Sequence, residues 1–280
     1  MLLHNDGWSP IYGEISPDGK RVAFLGSDPT NTIRVAAIDH GRPLGMSRSA
    51  NWAGDFAWMP DSQELLVASQ IGHRRDQLGI HDLNGALIRR VHVDRPFVCD
   101  ETGMAVSPDG RYALVSISRP KPSPTEFDTT ALMRVDLSTG VSELLTGFGT
   151  HDEAWPVYID PTHIVLAQNT VVDVFGRSTN EQIVSLDLAR GVKTVLMSDR
   201  SFGKESVRPG SPLVIFDRLP IDQSVGLWAI PRSGGAATPV VSAPGIGWPS
   251  LSPDGRWVLA TNVGSPGSDD GLTLYPIQGP

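Results

Sequence analysis

The chain has 280 residues and a formal net charge of −8, from 31 acidic and 23 basic residues. Because nucleic-acid backbones are bound by clustered Lys and Arg, this balance argues against a nucleic-acid partner. No stretch is long and apolar enough to predict a membrane-spanning helix. The single cysteine, Cys99, excludes an internal disulfide, and the 29 glycines and 23 prolines are typical of an all-β chain with many tight turns.

A short motif recurs along the chain. Ser-Pro-Asp-Gly occurs at residues 16–19, 107–110 and 252–255, each time before a basic residue and a β-branched or aromatic run. Weaker copies of the same segment begin at Trp58, Tyr158 and Val207. The copies follow one another at intervals of roughly 43 to 52 residues, the period of propeller blades with four strands each.

A second pattern separates the copies. After each motif the chain alternates apolar and polar residues and then reaches a glycine-containing turn, which is typical of a β-hairpin. Each unit is therefore predicted as strand A, a Pro-Asp-Gly turn, strand B, a variable loop, strand C, a glycine turn and strand D. Proline fixes φ at the first central position of the A–B turn, and Gly19, Gly110 and Gly255 are expected to take positive φ there.

With these repeats the chain resembles the TolB-like β-propellers, whose blades carry the Ser-Pro-Asp-Gly turn between strands A and B. The resemblance covers essentially the whole chain. It implies an all-β fold, a six-bladed β-propeller of four-stranded antiparallel blades. Related propellers, including those with WD40-like repeats, serve as protein-binding modules, as lids on peptidases and as lyase or hydrolase scaffolds. The fold therefore does not decide the function.

The repeat has no break in composition, which indicates a single domain over residues 1–280. The last unit stops after strand C, and the first residues of the chain align with strand D of other units. We therefore expect residues 1–4 to complete the last blade and to close the ring without an exposed sheet edge.

The connectors from each strand D to the next strand A should converge on the central channel. They are rich in Trp, Asp and Glu, and they predict an acidic, aromatic face. The candidate ligand-binding residues there and in a long B–C loop are Tyr12, Trp52, Asp55, Glu101, Trp155, Phe175, Arg177, Glu205 and Trp248. Packing between adjacent blades is the alternative for the tryptophans, above all for the two that precede proline, Trp155 and Trp248.

No motif of a known catalytic class is present. The sequence lacks a Gly-x-Ser-x-Gly elbow, a His-Glu-x-x-His helix, a metal-binding cysteine pair and a phosphate-binding glycine loop. The densest ionisable run in a connector is His151, Asp152 and Glu153. If the protein is an enzyme, His151 is the candidate general base, with the two carboxylates as partners or metal ligands. The alternative is a solvated loop in which Asp152 caps a turn.

Two functions fit these observations. The first is a binding module that captures a peptide, a protein or a small molecule, with a cationic ligand favoured by the acidic face. The second is a stand-alone lyase, hydrolase or cyclase acting on a small polar substrate. A divalent cation in the central channel is compatible with both. We expect a monomer, cytoplasmic if Met1 is the native start and periplasmic or secreted if a signal peptide was removed.

Overall fold

The computed structural model describes residues 2–3, 10–26, 32–38, 43–47, 53–71, 75–97, 99–118, 130–149, 151–170, 181–199, 202–218, 226–243, 245–262 and 271–277. Over these ranges the chain forms 24 strands and no helix. Accordingly, no helix in the described part is long and apolar enough to cross a membrane.

The strands form six four-stranded antiparallel sheets. Sheet 1 consists of β2 (Pro10–Ile15), β3 (Arg21–Gly26), β4 (Ile33–Ala37) and β5 (Pro43–Ser47). Sheet 2 consists of β6 (Ala53–Trp58), β7 (Glu64–Ile71), β8 (Arg75–Asp82) and β9 (Leu87–Val91). Sheet 3 consists of β10 (Cys99–Val106), β11 (Tyr112–Ser118), β12 (Thr130–Asp136) and β13 (Ser142–Leu144).

The second half of the chain repeats this arrangement. Sheet 4 consists of β14 (His151–Asp160), β15 (His163–Thr170), β16 (Glu181–Asp187) and β17 (Val192–Asp199). Sheet 5 consists of β18 (Phe202–Ser206), β19 (Leu213–Arg218), β20 (Gly226–Pro231) and β21 (Thr238–Val241). Sheet 6 consists of β22 (Ile246–Leu251), β23 (Trp257–Asn262), β24 (Gly271–Pro276) and β1 (Leu2–Leu3). In sheet 6 the first strand of the chain pairs with the last, Leu2 opposite Thr273 and Leu3 opposite Leu272.

The Ser-Pro-Asp-Gly turns link the first two strands of sheets 1, 3 and 6, as predicted. In sheet 3, Ser107 Oγ donates a hydrogen bond to Asp109 Oδ1 at 2.5 Å and accepts one from the backbone N–H of Tyr112 at 2.8 Å. The other two motifs repeat these bonds. The predicted positive φ is confirmed at Gly19, Gly110 and Gly255, with values of 72°, 73° and 68°.

The hydrophobic core lies between consecutive sheets. Six clusters of buried side chains fill the spaces between sheets 1 and 2, 2 and 3, 3 and 4, 4 and 5, 5 and 6, and 6 and 1. In the last of these, Ile15 and Phe24 of sheet 1 pack against Leu259 and Leu272 of sheet 6. Each fully buried side chain of this size stabilises the fold by about 1.5 to 3 kcal/mol. The packing orients the first strand of every sheet toward a common centre.

Candidate functional site

A cavity of about 360 Å³ lies at this centre and is lined by the first strands of all six sheets. Alternate residues of a strand point to the same face. The cavity is therefore lined, in every sheet, by the residues that stand three and five positions before the proline of the A–B turn. We call the residues five positions before that proline the upper tier: Tyr12, Asp55, Gly103, Pro156, Lys204 and Trp248. We call those three positions before it the lower tier: Glu14, Ala57, Ala105, Tyr158, Ser206 and Ser250.

Asp55 is a buried carboxylate of the upper tier with a strongly shifted pKa. Its side chain is only 3% exposed, and its Oδ1 accepts hydrogen bonds from the Tyr12 hydroxyl and from the backbone N–H of Phe56, the latter at 2.8 Å. Its Oδ2 has no hydrogen-bond partner among the described residues. Burial raises the pKa of Asp55 to about 7. Burial also raises the pKa of Tyr12 well above its ordinary value, and the neighbouring carboxylate of Asp55 raises it further.

Lys204 and Glu14 form an ion pair across the cavity, with Nζ 3.2 Å from Oε1. The same ammonium lies 4.9 Å from the centre of the Tyr12 ring. The lysine side chain is 8% exposed and the glutamate side chain 24% exposed. These two charges compensate each other. Asp55 is then the carboxylate of the lining that has no cation within ion-pair distance among the residues that the structure describes.

An aromatic wall completes the upper end of the cavity. Trp155 and Trp248 pack edge to face with ring centres 5.8 Å apart, and Trp248 stacks on Tyr12 at 5.8 Å. Both tryptophans have positive φ, 48° and 56°, which is a strained conformation for a bulky residue and is concentrated at functional sites. Gly103 makes room for this wall, since a Cβ there would lie 2.8 Å from Trp155 Cα.

The packing predicted for the two tryptophans is also present. Trp155 packs against the cluster between sheets 4 and 5, and Trp248 against the cluster between sheets 1 and 2. The indole N–H of Trp155 is buried and has no acceptor among the described residues. Each ring therefore faces both the core and the cavity. Packing between sheets and a place in a binding site are thus compatible for these two tryptophans.

At the turn end of the cavity lies Arg208, in the repeat position that serine occupies in the intact motifs. Its Nε donates to the carbonyl oxygen of Leu251 at 2.7 Å, and its Nη2 donates to that of Ile15. Burial lowers the pKa of the guanidinium, although it stays charged. The arginine thus bridges the inner strands of sheets 6 and 1 and lines the cavity beside Pro209.

The run His151, Asp152 and Glu153 begins β14 and does not line the cavity. Asp152 Oδ1 accepts a hydrogen bond from the backbone N–H of Thr130 at 3.0 Å. Glu153 is 3% exposed, and its Oε1 accepts a bond from Gln168 Nε2 at 3.2 Å and pairs with Lys193 Nζ at 2.5 Å. The two carboxylates therefore have structural partners in sheets 3 and 4, and His151 is half-buried.

The other predicted ligand-binding residues divide into two groups. The structure brings Tyr12, Asp55, Trp155 and Trp248 together around the cavity. Trp52, Phe175 and Arg177 lie outside the described residues, and so do the side chains of Glu101 and Glu205, whose backbones belong to β10 and β18.

Sequence reasoning missed Glu14, Lys204 and Arg208. They lie within or directly after the inner strands, whereas the sequence pattern pointed to acidic and aromatic residues of the connectors and to the long B–C loops. The strand period of two could have identified Glu14 and Lys204. They stand three and five positions before the turn proline of their repeats, and every residue at these two positions lines the cavity. The charges of the cavity lining are balanced, with Glu14 and Asp55 opposed by Lys204 and Arg208; most acidic residues of the predicted connector face lie outside the described residues.

No group of three or more His, Cys, Asp or Glu side chains that could hold a metal ion occurs among the described residues. The two cavity carboxylates already bind other groups, Glu14 the ammonium of Lys204 and Asp55 the hydroxyl of Tyr12. A divalent cation, which is usually held by several oxygen ligands, therefore stays a prediction for the central channel.

Comparison with known proteins identifies the fold. No family model and no curated protein matches the sequence. Among solved structures, TolB from Acinetobacter baumannii superposes with a TM-score of 0.65 at 16% identity, over 83% of this chain and 54% of TolB. The chain has the fold of a TolB-like β-propeller. It spans about half the length of TolB, and at this identity the likeness describes the fold alone.

Two further propellers match nearly the whole chain. An oligogalacturonate lyase in complex with manganese aligns with a TM-score of 0.61 at 15% identity, over 98% of this chain and 90% of the lyase. The WD40 repeats of RRP9 align with a TM-score of 0.63 at 11% identity, over 99% of this chain and 97% of that structure. Propellers of such different function share this fold, so the function of this one must be argued from its cavity.

Proposed function

We propose that this propeller is a binding module that holds a small cationic ligand in its central cavity. The observation that carries the proposal is the carboxylate of Asp55, buried at the cavity wall with its Oδ2 lacking a partner. A buried carboxylate oxygen without a hydrogen bond is costly, and a donor group on a ligand would remove that cost. An ammonium group supplies both the donor and the opposite charge.

The walls around Asp55 favour the same ligand. Tyr12, Trp155 and Trp248 present aromatic surface to the cavity. A cation held against such rings gains about 0.5 to 2 kcal/mol from the cation–π interaction. Lys204 already lies over the Tyr12 ring, at 4.9 Å, which supports the proposal that such a surface can hold a positive charge. A cavity of about 360 Å³ is suited to a small molecule, since ligand pockets span about 300 to 1,000 Å³.

The proposal includes the architecture that builds the cavity. We infer that the six sheets are the blades of one closed ring, with β1 as the outer strand of the last blade. Two observations support this: the six hydrophobic clusters connect the sheets in a complete cycle, and Leu2 and Leu3 pair with β24. The predictions of a monomer and of either compartment have no bearing on the cavity and stay predictions.

The test compares benzylamine with benzyl alcohol, which has a similar shape and no charge, by isothermal titration calorimetry at pH 8. We expect benzylamine to bind at least tenfold tighter, which corresponds to about 1.4 kcal/mol. Asp55→Asn should abolish the difference. Asp61→Asn, an equivalent substitution at an exposed turn position of the same sheet, should preserve it. Equal binding of both compounds to the native protein would refute the proposal, and binding of peptides alone would assign the site to a protein partner.

An enzymatic role for the same cavity is the second candidate. The observation that favours it is the pKa of Asp55, about 7, which is suited to a general base at neutral pH. This candidate replaces the predicted base His151 by Asp55, with Tyr12 as its hydrogen-bonding neighbour. Because an oligogalacturonate lyase shares the fold, oligogalacturonate with and without added manganese is the first substrate to assay. Formation of unsaturated sugar ends that requires Asp55 would support this role, and no turnover at high protein concentration would oppose it.

A further inference from the structure

The cavity contains a second charge that lacks a counter-charge. Arg208 lines the turn end of the cavity, and no carboxylate lies within ion-pair distance of it among the described residues. Glu14 is the acid near enough to affect its pKa, and the oxygen Oε1 of Glu14 is already held by Lys204 at 3.2 Å. The four charged groups of the lining therefore reduce to one ion pair and two unpaired charges of opposite sign, Asp55 and Arg208.

The guanidinium of Arg208 also keeps an unused donor. Its Nε and Nη2 are engaged by the carbonyl oxygens of Leu251 and Ile15, which fix the plane of the group. Its Nη1 donates no hydrogen bond to the described residues, and it is not sealed from solvent. Backbone carbonyls satisfy donors without neutralising the charge, and a charge in a partly buried site is stabilised by an anion.

The repeat fixes where the two charges lie. Asp55 occupies the upper tier, five positions before its turn proline, and Arg208 directly precedes its own turn proline. The Arg208 guanidinium reaches back to the carbonyl oxygens of Ile15 and Leu251, which stand two positions before their turn prolines. Three residues of a strand extend over about 10 Å, so the two charged groups lie at different levels of the cavity. The aromatic wall lies at the end of Asp55.

From this arrangement we propose that the ligand is dipolar, with an ammonium group bound at Asp55 and a carboxylate or other oxyanion bound at Arg208. This inference rests on the proposed function and extends it from a cation to a zwitterion with separated charges. The planar fork of arginine suits the oxygens of such a group, and the two bridged carbonyls hold the fork in place before the ligand arrives. The intact motifs have serine at this position, so the arginine is specific to sheet 5.

The test uses ω-amino acids as molecular rulers. The affinities of γ-aminobutyrate, ε-aminocaproate and ω-aminocaprylate are measured by calorimetry, each beside the alkylamine of equal carbon number. We expect the longer amino acids to bind at least tenfold tighter than their matched amines, and the shortest to gain least. Arg208→Gln should remove this gain, whereas Arg190→Gln, at a side chain that is 81% exposed, should preserve it.

The outcomes separate the two proposals. If alkylamines bind and the amino acids bind no better at any length, Arg208 is a brace between strands and the dipolar ligand is refuted. If alkylamines fail to bind, the proposed function itself is wrong. Should Arg208→Gln fail to fold, the ruler series on the native protein still decides, and Arg208→Lys, which keeps the charge but loses the fork, should reduce the gain.

Discussion

The A–B turns directly follow the six strands that carry the two tiers of the cavity. The intact turns hardly vary in sequence from sheet to sheet, whereas the residues of the tiers vary much more. The three intact turns are nearly superposable in chemistry: each serine donates to its aspartate at 2.5 to 2.6 Å, and each glycine has φ near 70°. The upper tier has a different residue in every sheet, and the lower tier has four residue types over six sheets. The upper tier alone contains an acid, a base, two aromatic residues, a glycine and a proline.

This difference separates what builds the fold from what gives it a function. A turn has one geometric task, so the same four residues perform it wherever it occurs. A residue that faces the cavity is free of that task, since its strand is held by backbone pairing and by the clusters behind it. The departures from the repeat are therefore the residues that we expect to carry the proposed binding.

The largest effect is expected in a turn. Gly140, between β12 and β13, has φ 77°, and a Cβ there would lie 1.8 Å from the carbonyl oxygen of His92. Gly140→Ala should destabilise the protein by about 4 kcal/mol, through the clash and the strained φ together. At Gly110 the nearest atom to a Cβ is 3.6 Å away, so Gly110→Ala should cost only about 1 kcal/mol. Thermal unfolding measures both; ligand affinity per folded molecule should stay the same.

The next effect is expected in the upper tier and depends on pH. Because burial raises the pKa of Asp55 to about 7, the folded protein holds this proton more tightly than the unfolded chain does. The contribution of Asp55 to stability is therefore lost as the pH rises from about 4 to about 7. Without ligand, Asp55→Asn should be more stable than the native protein by up to about 4 kcal/mol at pH 8, and the two should agree near pH 4. Urea unfolding at both pH values checks this, and a destabilised variant at pH 8 would contradict it.

The fold could be predicted from the sequence because it depends on local signals that repeat. Pro, Asp and Gly specify a turn through their own backbone preferences, and six copies at one period specify six sheets. The site was predicted only in part. Tyr12 and Asp55 were found because they lie near the connectors. The places of Glu14 and Lys204 follow from the count back from the turn proline, but the ion pair between them joins two different sheets, as do the bonds of Arg208, and no local pattern reveals such pairings. The hydrogen bond from the Thr130 backbone to Asp152 is equally invisible in sequence.

The smallest effect is expected outside the cavity. Asp152 belongs to the ionisable run that sequence analysis proposed as a catalytic site. In the structure it accepts a hydrogen bond from the backbone N–H of Thr130 and does not line the cavity. Asp152→Asn keeps an acceptor for that bond, so it should change benzylamine affinity by less than about twofold, within roughly 0.4 kcal/mol. A tenfold loss of benzylamine affinity in this variant, measured by the same calorimetry, would indicate that the binding site lies at the connectors.

The central claim is that the carboxylate of Asp55 binds a cation, and its most direct test is the pH dependence of that binding. Benzylamine affinity is measured from pH 5 to pH 8, a range over which the amine stays protonated. The dissociation constant should be constant above about pH 7 and rise roughly tenfold for each pH unit below it, since the ligand must compete with the proton on Asp55. In Asp55→Asn the weak residual binding should not change with pH. A dissociation constant that is the same at pH 5 and pH 8 in the native protein would contradict the claim.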